Sequence, residues 1–249
     1  MIKYSIMLNT KRLFSFTLTA FFIVSASAAP LMAQDSSGTA AKQASLNLMV
    51  FKGIYGSDGF ELRLKTLKDI EQAIAQGNTS DEIYTALEYM SMEGIKNRAM
   101  ERGQLINNYP DVRLKVAAQL GKLGTEKATN LLIQICSSEN DLYVLREAIK
   151  ALGDIGFNEN DNTVKNIVWR VRGFNQRPAD SITESVSFYA IDAFEKIERK
   201  NDGYKNQGVF DDVMEYMDRV SKNVNFSKRL QDRAKLVREE MLRRDAQRR

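Results

Sequence analysis

The sequence predicts an all-α protein, an α–α superhelix of about five antiparallel helix pairs, and three observations point there. The stretch Val112-Arg113-Leu114-Lys115-Val116-Ala117-Ala118-Gln119-Leu120-Gly121-Lys122-Leu123-Gly124 returns thirty-two residues later as Val144-Leu145-Arg146-Glu147-Ala148-Ile149-Lys150-Ala151-Leu152-Gly153-Asp154-Ile155-Gly156. Self-similarity at a period of roughly 20–50 residues marks stacked units that bury their apolar faces only against neighbours. Only 3 Pro and 14 Gly occur in 249 residues, and Leu, Ala, Glu, Lys and Arg are abundant, which favours helix over sheet. From Phe60 onward, apolar residues recur three and four apart, the spacing of one helical face.

The chain divides into three parts. Residues 1–33 read as a signal peptide. Lys3, Lys11 and Arg12 form a basic start, Leu13 to Val24 an apolar stretch, and Ser25-Ala26-Ser27-Ala28-Ala29 a small-residue cleavage region, with cutting after Ala28 or Ala33. The apolar stretch is shorter than the ~20 residues that span a bilayer, so export is expected, to a periplasm or outside the cell, with no transmembrane span in the mature protein. Residues 34–58 read as a flexible lead-in, small and polar at Asp35 to Lys42, with glycines at 53, 56 and 59 before a helix capped by Ser57 or Asp58. Residues 59–249 are the helical-repeat domain.

Within that domain the expected helices follow one another with short breaks. Phe60, Leu64, Leu67 and Ile74 stripe the first, which stops at Gly77. Ser80 caps a second carrying Ile83, Leu87 and Met90, and a third is expected from about Ile95 to Asn108. Pro110 starts the first repeat copy, and Thr125 opens a helix with Ala128, Leu131, Leu132, Ile135 and Cys136 inward. Asp141 begins the second copy; Val164, Ile167, Val168 and Val171 stripe the next helix. Asp180 or Ser181 opens a further helix whose Ala190-Ile191-x-Ala193-Phe194-x-x-Ile197 is a weaker third copy, displaced by an insertion at Phe174 to Ala179. Val209, Val213, Met217 and Val220 mark the next, and Phe226, Leu230, Ala234, Val237 and Met241 a long last one. Gly124 and Gly156 stand where helices must stop, and glycine accepts a left-handed cap at little cost. Gly121 and Gly153 lie inside helices, where glycine costs about 0.5–1 kcal/mol relative to alanine, so close helix–helix approach is expected there.

Pro110-Asp111-Val112-Arg113, followed by Val116-Ala117-Ala118-x-Leu120-Gly121-x-Leu123-Gly124 and Ala128-x-x-x-Leu132-Ile133, resembles the short HEAT repeats, including the phycobilisome-lyase type. The resemblance is close over residues 110–156 and recognisable to about 199. It implies a curved armadillo-like α-solenoid that binds proteins or peptides, less often nucleic acids, and is rarely catalytic. The second copy departs from the pattern in placing Arg146 one position late, and the third puts Glu195 and Glu198 in place of the two glycines.

Residue chemistry narrows the function further. Histidine is absent, which removes the commonest general base and metal ligand together. Cys136 is the only cysteine and continues an apolar stripe, so a buried, inert thiol is expected. No catalytic residue, cofactor site or metal site is expected, and the chain reads as a non-enzymatic scaffold or adaptor of the cell envelope, with a part in a periplasmic assembly as one form of that role. The net charge of +4 arises largely from Lys3, Lys11 and Arg12, leaving the remainder nearly neutral and nucleic acid an unfavoured partner. A protein partner is expected on the concave face at Lys115, Gln119, Lys122, Glu147, Lys150 and Asp154, which flank the apolar positions of the two best inner helices. Trp169 lies off its helix's apolar stripe, where it either packs on the adjacent repeat or stands as an exposed aromatic anchor. Arg238, Arg243, Arg244, Arg248 and Arg249 form a basic tail. It reads either as a solvated helix end or as a contact for nucleic acid or an anionic envelope surface. Beyond Met241 the pattern offers these residues no core partner, so removing them should cost the fold little.

Overall fold

The computed structural model describes residues 59–176 and 180–249. The signal peptide, the lead-in with its Ser57 and Asp58 caps, and the last part of the insertion lie outside the described residues. The helices are α1 (Gly59–Ala75), α2 (Asp81–Ser91), α3 (Pro110–Leu123), α4 (Glu126–Ser138), α5 (Leu142–Ile155), α6 (Asn162–Val171), α7 (Ser181–Lys200), α8 (Gln207–Lys222) and α9 (Lys228–Arg248). They stack in two layers. In the first layer α1, α3, α5, α7 and α9 each pack on the next; in the second, α2, α4, α6 and α8 do the same, and α2 with α3, α3 with α4, α4 with α5, α6 with α7 and α8 with α9 pack across the layers. This is an all-α superhelix, with four pairs and a closing helix among the described residues.

Ser80 holds the N-cap position of α2 without a side-chain cap bond, whereas side-chain caps start α4, α5 and α7 where the sequence places them. Thr125 accepts from the Ala128 amide, Asp141 from those of Tyr143 and Val144, and Asp180 from that of Thr183. Each satisfies a backbone donor that the helix leaves unpaired, which stabilises by about 1 kcal/mol. Gly124 and Gly156 close α3 and α5 in the left-handed conformation, with φ of 63° and 74°. The apolar stripes merge into one continuous core, in which Leu120, Leu132, Ile149, Leu152, Phe194 and Met217 are fully enclosed.

The expected helix over Ile95 to Asn108 is not there. The segment instead forms a two-stranded hairpin, β1 (Met100–Glu101) and β2 (Gln104–Leu105), joined at Arg102 and Gly103. Both turn residues have positive φ, 49° and 81°, the geometry that matches the twist of a tight hairpin. Asn107 pins its base, accepting from the Ala99 amide at 2.8 Å and donating to the Asn97 carbonyl at 2.7 Å.

The interior glycines act as expected. A Cβ added to Gly121 would lie 3.0 Å from Ala151 Cβ, and one added to Gly153 would lie 2.7 Å from Ala193 Cα. In each case the glycine meets the alanine two positions before the corresponding residue of the next copy, which confirms the register of the third copy. Where that copy carries Glu195, the next contact changes character: Glu195 meets Arg233 of α9 at 2.7 Å. Contact between neighbouring helices of the first layer is most extensive at α5 and α7 and less so at α7 and α9.

A line of buried arginine–glutamate pairs joins the repeats. Arg63 holds Glu93 through two bonds of 2.9 Å. Arg113, the arginine of the Asp-Val-Arg entry, grips Glu139 at 2.7 and 3.2 Å and also donates to the Glu93 carbonyl at 3.0 Å. Arg170 continues the line by donating to the Glu139 carbonyl. Arg146, displaced by one position in the second copy, stays out of it and lies over the Tyr143 ring instead. Two-point guanidinium–carboxylate pairing of this kind fixes register between neighbouring units.

The end of the chain corrects the sequence expectation. Residues beyond Met241 do have a partner: Arg244 donates to Glu198 at 2.9 Å and Arg248 to the same carboxylate at 2.6 Å. Glu198 is fully buried, and Arg248 also reaches Asp202 at 2.9 Å. The glycine lost from the third copy is thus replaced by an acidic residue that the last helix neutralises.

Candidate functional site: the exposed surface of the first layer

Six of the expected partner-binding residues lie on α3 and α5 in the first layer. Lys115 is exposed and Gln119 nearly buried. Lys122 bridges back to Glu71 of α1 at 2.6 Å, while Glu147 and Lys150 pair within α5 at 2.9 Å. Asp154 reaches forward to Lys196 of α7 at 2.8 Å, and Lys196 in turn holds Asp192 at 2.6 Å. Asp192 and Glu195 both meet Arg233 of α9, at 3.3 and 2.7 Å. The surface is therefore a ladder of opposite charges crossing from helix to helix.

These pairs shift the titration of their members. The Lys122 ammonium, with help from Gln119, holds Glu71 below the usual carboxylate range. Glu147 raises Lys150. Burial works against the charge of Lys196, but Asp154 and Asp192 outweigh it and raise its pKa. Burial likewise opposes ionisation of Glu195, and Arg199 and Arg233 overcome it and lower its pKa. Exposed pairs of this kind contribute about 0–1 kcal/mol each, so a partner could exchange them at little cost.

Trp169 is 65% exposed. It stands on α6 in the second layer, so the structure does not bring it together with the other six. In the tail, Arg244 and Arg248 are committed to Glu198, and Arg249 to Gln207 and Asp245. Arg238 is half-buried, while Arg243 is exposed.

Sequence reasoning missed a groove on the same surface. Between the first half of α7 and the start of α9 lies an open cavity of about 280 Å3, lined by Glu184, Ser185, Phe188, Tyr189, Ser227 and Arg229 among others. Phe188 and Tyr189 are half-buried and meet edge to face, with ring centroids 5.8 Å apart. Arg229 lies over the Phe188 ring, 5.6 Å from its centroid. Tyr189 is also close enough to Lys150 to add to the rise in its pKa, which joins the groove to the charge ladder. The available signal was the pair of adjacent aromatics between the core positions Val186 and Ala190, only one flank of which a helix can bury.

Comparison with known proteins agrees with this architecture. The family described as HEAT repeats matches residues 103–170, from the hairpin tip through most of α6. The matched stretch is HEAT-like, and the helices on either side of it continue the same two-layer stack. Among solved structures, a chain from the complex of CpcE and CpcF of phycocyanin lyase from Nostoc sp. PCC7120 is similar, with a TM-score of 0.51 at 17% identity. The likeness covers 80% of this chain and spans 65% of the length of that one, and it concerns the fold. No curated protein sequence matches the chain. Among the described residues, no helix is long and apolar enough to cross a membrane.

Proposed function

We propose that this HEAT-like chain is a protein-binding scaffold of the cell envelope that holds its partner on the first-layer surface. The observation that carries the reading is the groove between α7 and α9. It leaves two aromatic side chains half-exposed on a surface otherwise composed of exchangeable ion pairs. Aromatic residues set among charges are the composition of binding hot spots, and the core already closes without these two flanks. The tight approach of α3, α5 and α7, set by Gly121 and Gly153, supports placing this layer on the inside of the curve. In a bent two-layer stack the more closely spaced layer is the concave one.

Export rests on the basic start, apolar stretch and small-residue cleavage region of residues 1–33. A binding role without catalysis fits the lone thiol, Cys136, which burial pushes up to about 12 and so keeps protonated. In the phycocyanin lyase complex the similar chain stands beside a second protein, and partnership of that general kind is what we propose here. Purification of the chain from intact envelopes, with mass spectrometry of what is retained, tests the reading. A discrete protein partner retained in proportion to the chain is expected. Recovery of the chain alone, or with nucleic acid only, would overturn it.

A further inference from the structure

The groove itself indicates what kind of partner segment it takes, on the premise that the first-layer surface binds protein. Its origin is the third repeat copy. At α5 and α7 a glycine lets two helices touch; at α7 and α9, Glu195 and Glu198 hold them apart with ion pairs, and the gap opens towards the beginning of both helices. The opening exposes one flank each of Phe188 and Tyr189, beside the Ser185 hydroxyl.

The two charged residues that line the groove are engaged differently. Glu184 is engaged, accepting from the Ser227 amide at 2.6 Å. Lys228 beside it is paired with Asp232 at 2.7 Å. Arg229 is exposed, lies over Phe188, and has no carboxylate partner among the described residues. An arginine held on an aromatic face keeps its in-plane N–H donors directed sideways, where a carboxylate can meet two of them at once. Lys150, whose charge is felt by Tyr189, adds a second cation; it is paired with Glu147 at 2.9 Å, and its side chain remains 39% exposed.

We propose that this groove receives an extended segment of a partner protein, with an acidic side chain on Arg229 and a neighbouring apolar side chain against Phe188 and Tyr189. A volume of about 280 Å3 holds one or two side chains rather than a helix. The affinity would come mainly from the aromatic flanks, and the charge would set which segments are accepted.

A random twelve-residue peptide library displayed on phage and selected on the full chain tests this directly. Enriched peptides should pair Asp or Glu with an adjacent apolar residue. Selection on Arg229→Glu should invert the preference to Lys or Arg; the fold should tolerate a glutamate in the first turn of α9. Phe188→Ala should weaken a synthetic copy of the enriched peptide at least tenfold while the chain stays folded. Enrichment indifferent to Arg229→Glu but lost in Lys115→Glu or Lys122→Glu would sink the groove and leave the scaffold reading standing. Displacement of every enriched peptide by a synthetic peptide of residues 34–58 would assign the groove to the chain's own lead-in and overturn the proposal. Absence of any enrichment would overturn it too, while retention of a partner from intact envelopes would still judge the scaffold separately.

Discussion

Gly153 backs directly onto Ala193: a Cβ at Gly153 would lie 2.7 Å from the Ala193 Cα and 2.8 Å from its Cβ. No ordinary packing tolerates that separation, so the closeness of α5 and α7 depends on this residue being glycine. Gly153→Ala gains about 1 kcal/mol of helix propensity but must push two backbones apart, and overpacking of this kind costs about 1–3 kcal/mol. The net expected change is a lower melting temperature. Gly121→Ala, where the obstacle is the Ala151 Cβ at 3.0 Å, should be milder. Equal melting temperatures for the two variants would mean that the α5–α7 approach is not set by Gly153.

The tail behaves as a closing element. Deleting residues 243–249 removes both Arg244 and Arg248 and leaves the Glu198 carboxylate buried with neither ion partner. Breaking a buried pair from one side costs about 3–5 kcal/mol, less where the surviving partner can reach water. The deletion should therefore lower the melting temperature clearly, and Glu198→Gln should recover part of the loss by removing the stranded charge. A deletion that melts with the full chain would contradict the clamp.

Arg113 should be intolerant of substitution. It satisfies Glu139, the Glu93 carbonyl and Asn108 together, and lysine cannot reproduce its fork. Arg113→Lys is expected to destabilise by about 2 kcal/mol or more, approaching the cost of Arg113→Ala, as read from urea unfolding. Full stability in the lysine variant would show that a single charge suffices at this junction.

The repeat motif made much of this legible and explains why the rest was not. Gly121, Gly124, Gly153 and Gly156 are residues whose cost inside or at the end of a helix demands a local reason, and the sequence carries that reason within a few positions. Arg244 and Glu198 are 46 residues apart on two helices, with no periodic pattern linking them, so their pairing emerges only when α9 is seen against α7. The hairpin at Met100–Leu105 escaped because its turn residues, Arg102 and Gly103, sit within a run of helix formers, and the positive φ of arginine has no signature in sequence. Of the candidate surface, the charges on α3 and α5 were legible as the polar flanks of striped helices. The groove was not, since it follows from the spacing of α7 and α9.

Acid should loosen the last interface. Glu195 has a lowered pKa in the folded chain because Arg199 and Arg233 outweigh its burial. A carboxylate with a depressed folded pKa stabilises above its unfolded value, near 4.5, and that contribution is lost as the pH falls through the lower folded value. Glu195→Gln should therefore flatten the decline of the melting temperature below about pH 4.5 relative to the unaltered chain. An identical acid limb in both proteins would remove Glu195 from the account.

Thiol reactivity reports on the core. Cys136 is buried, and burial pushes its thiol up to about 12 against an opposing effect from Arg170. Labelling by a disulfide reagent at pH 8 should be negligible in the folded chain and rapid in denaturant. Fast labelling without denaturant would indicate that α4 and α6 open readily.

The central claim is that the first-layer surface holds a protein, and site-specific photo-cross-linking in living cells tests it most directly. A photoreactive amino acid is placed at Lys150 in the first layer or at Asn130, which is exposed on α4 in the second. The account predicts a discrete, heavier protein adduct from position 150 and none from position 130. Adducts from position 130 alone, or from neither position, would contradict it.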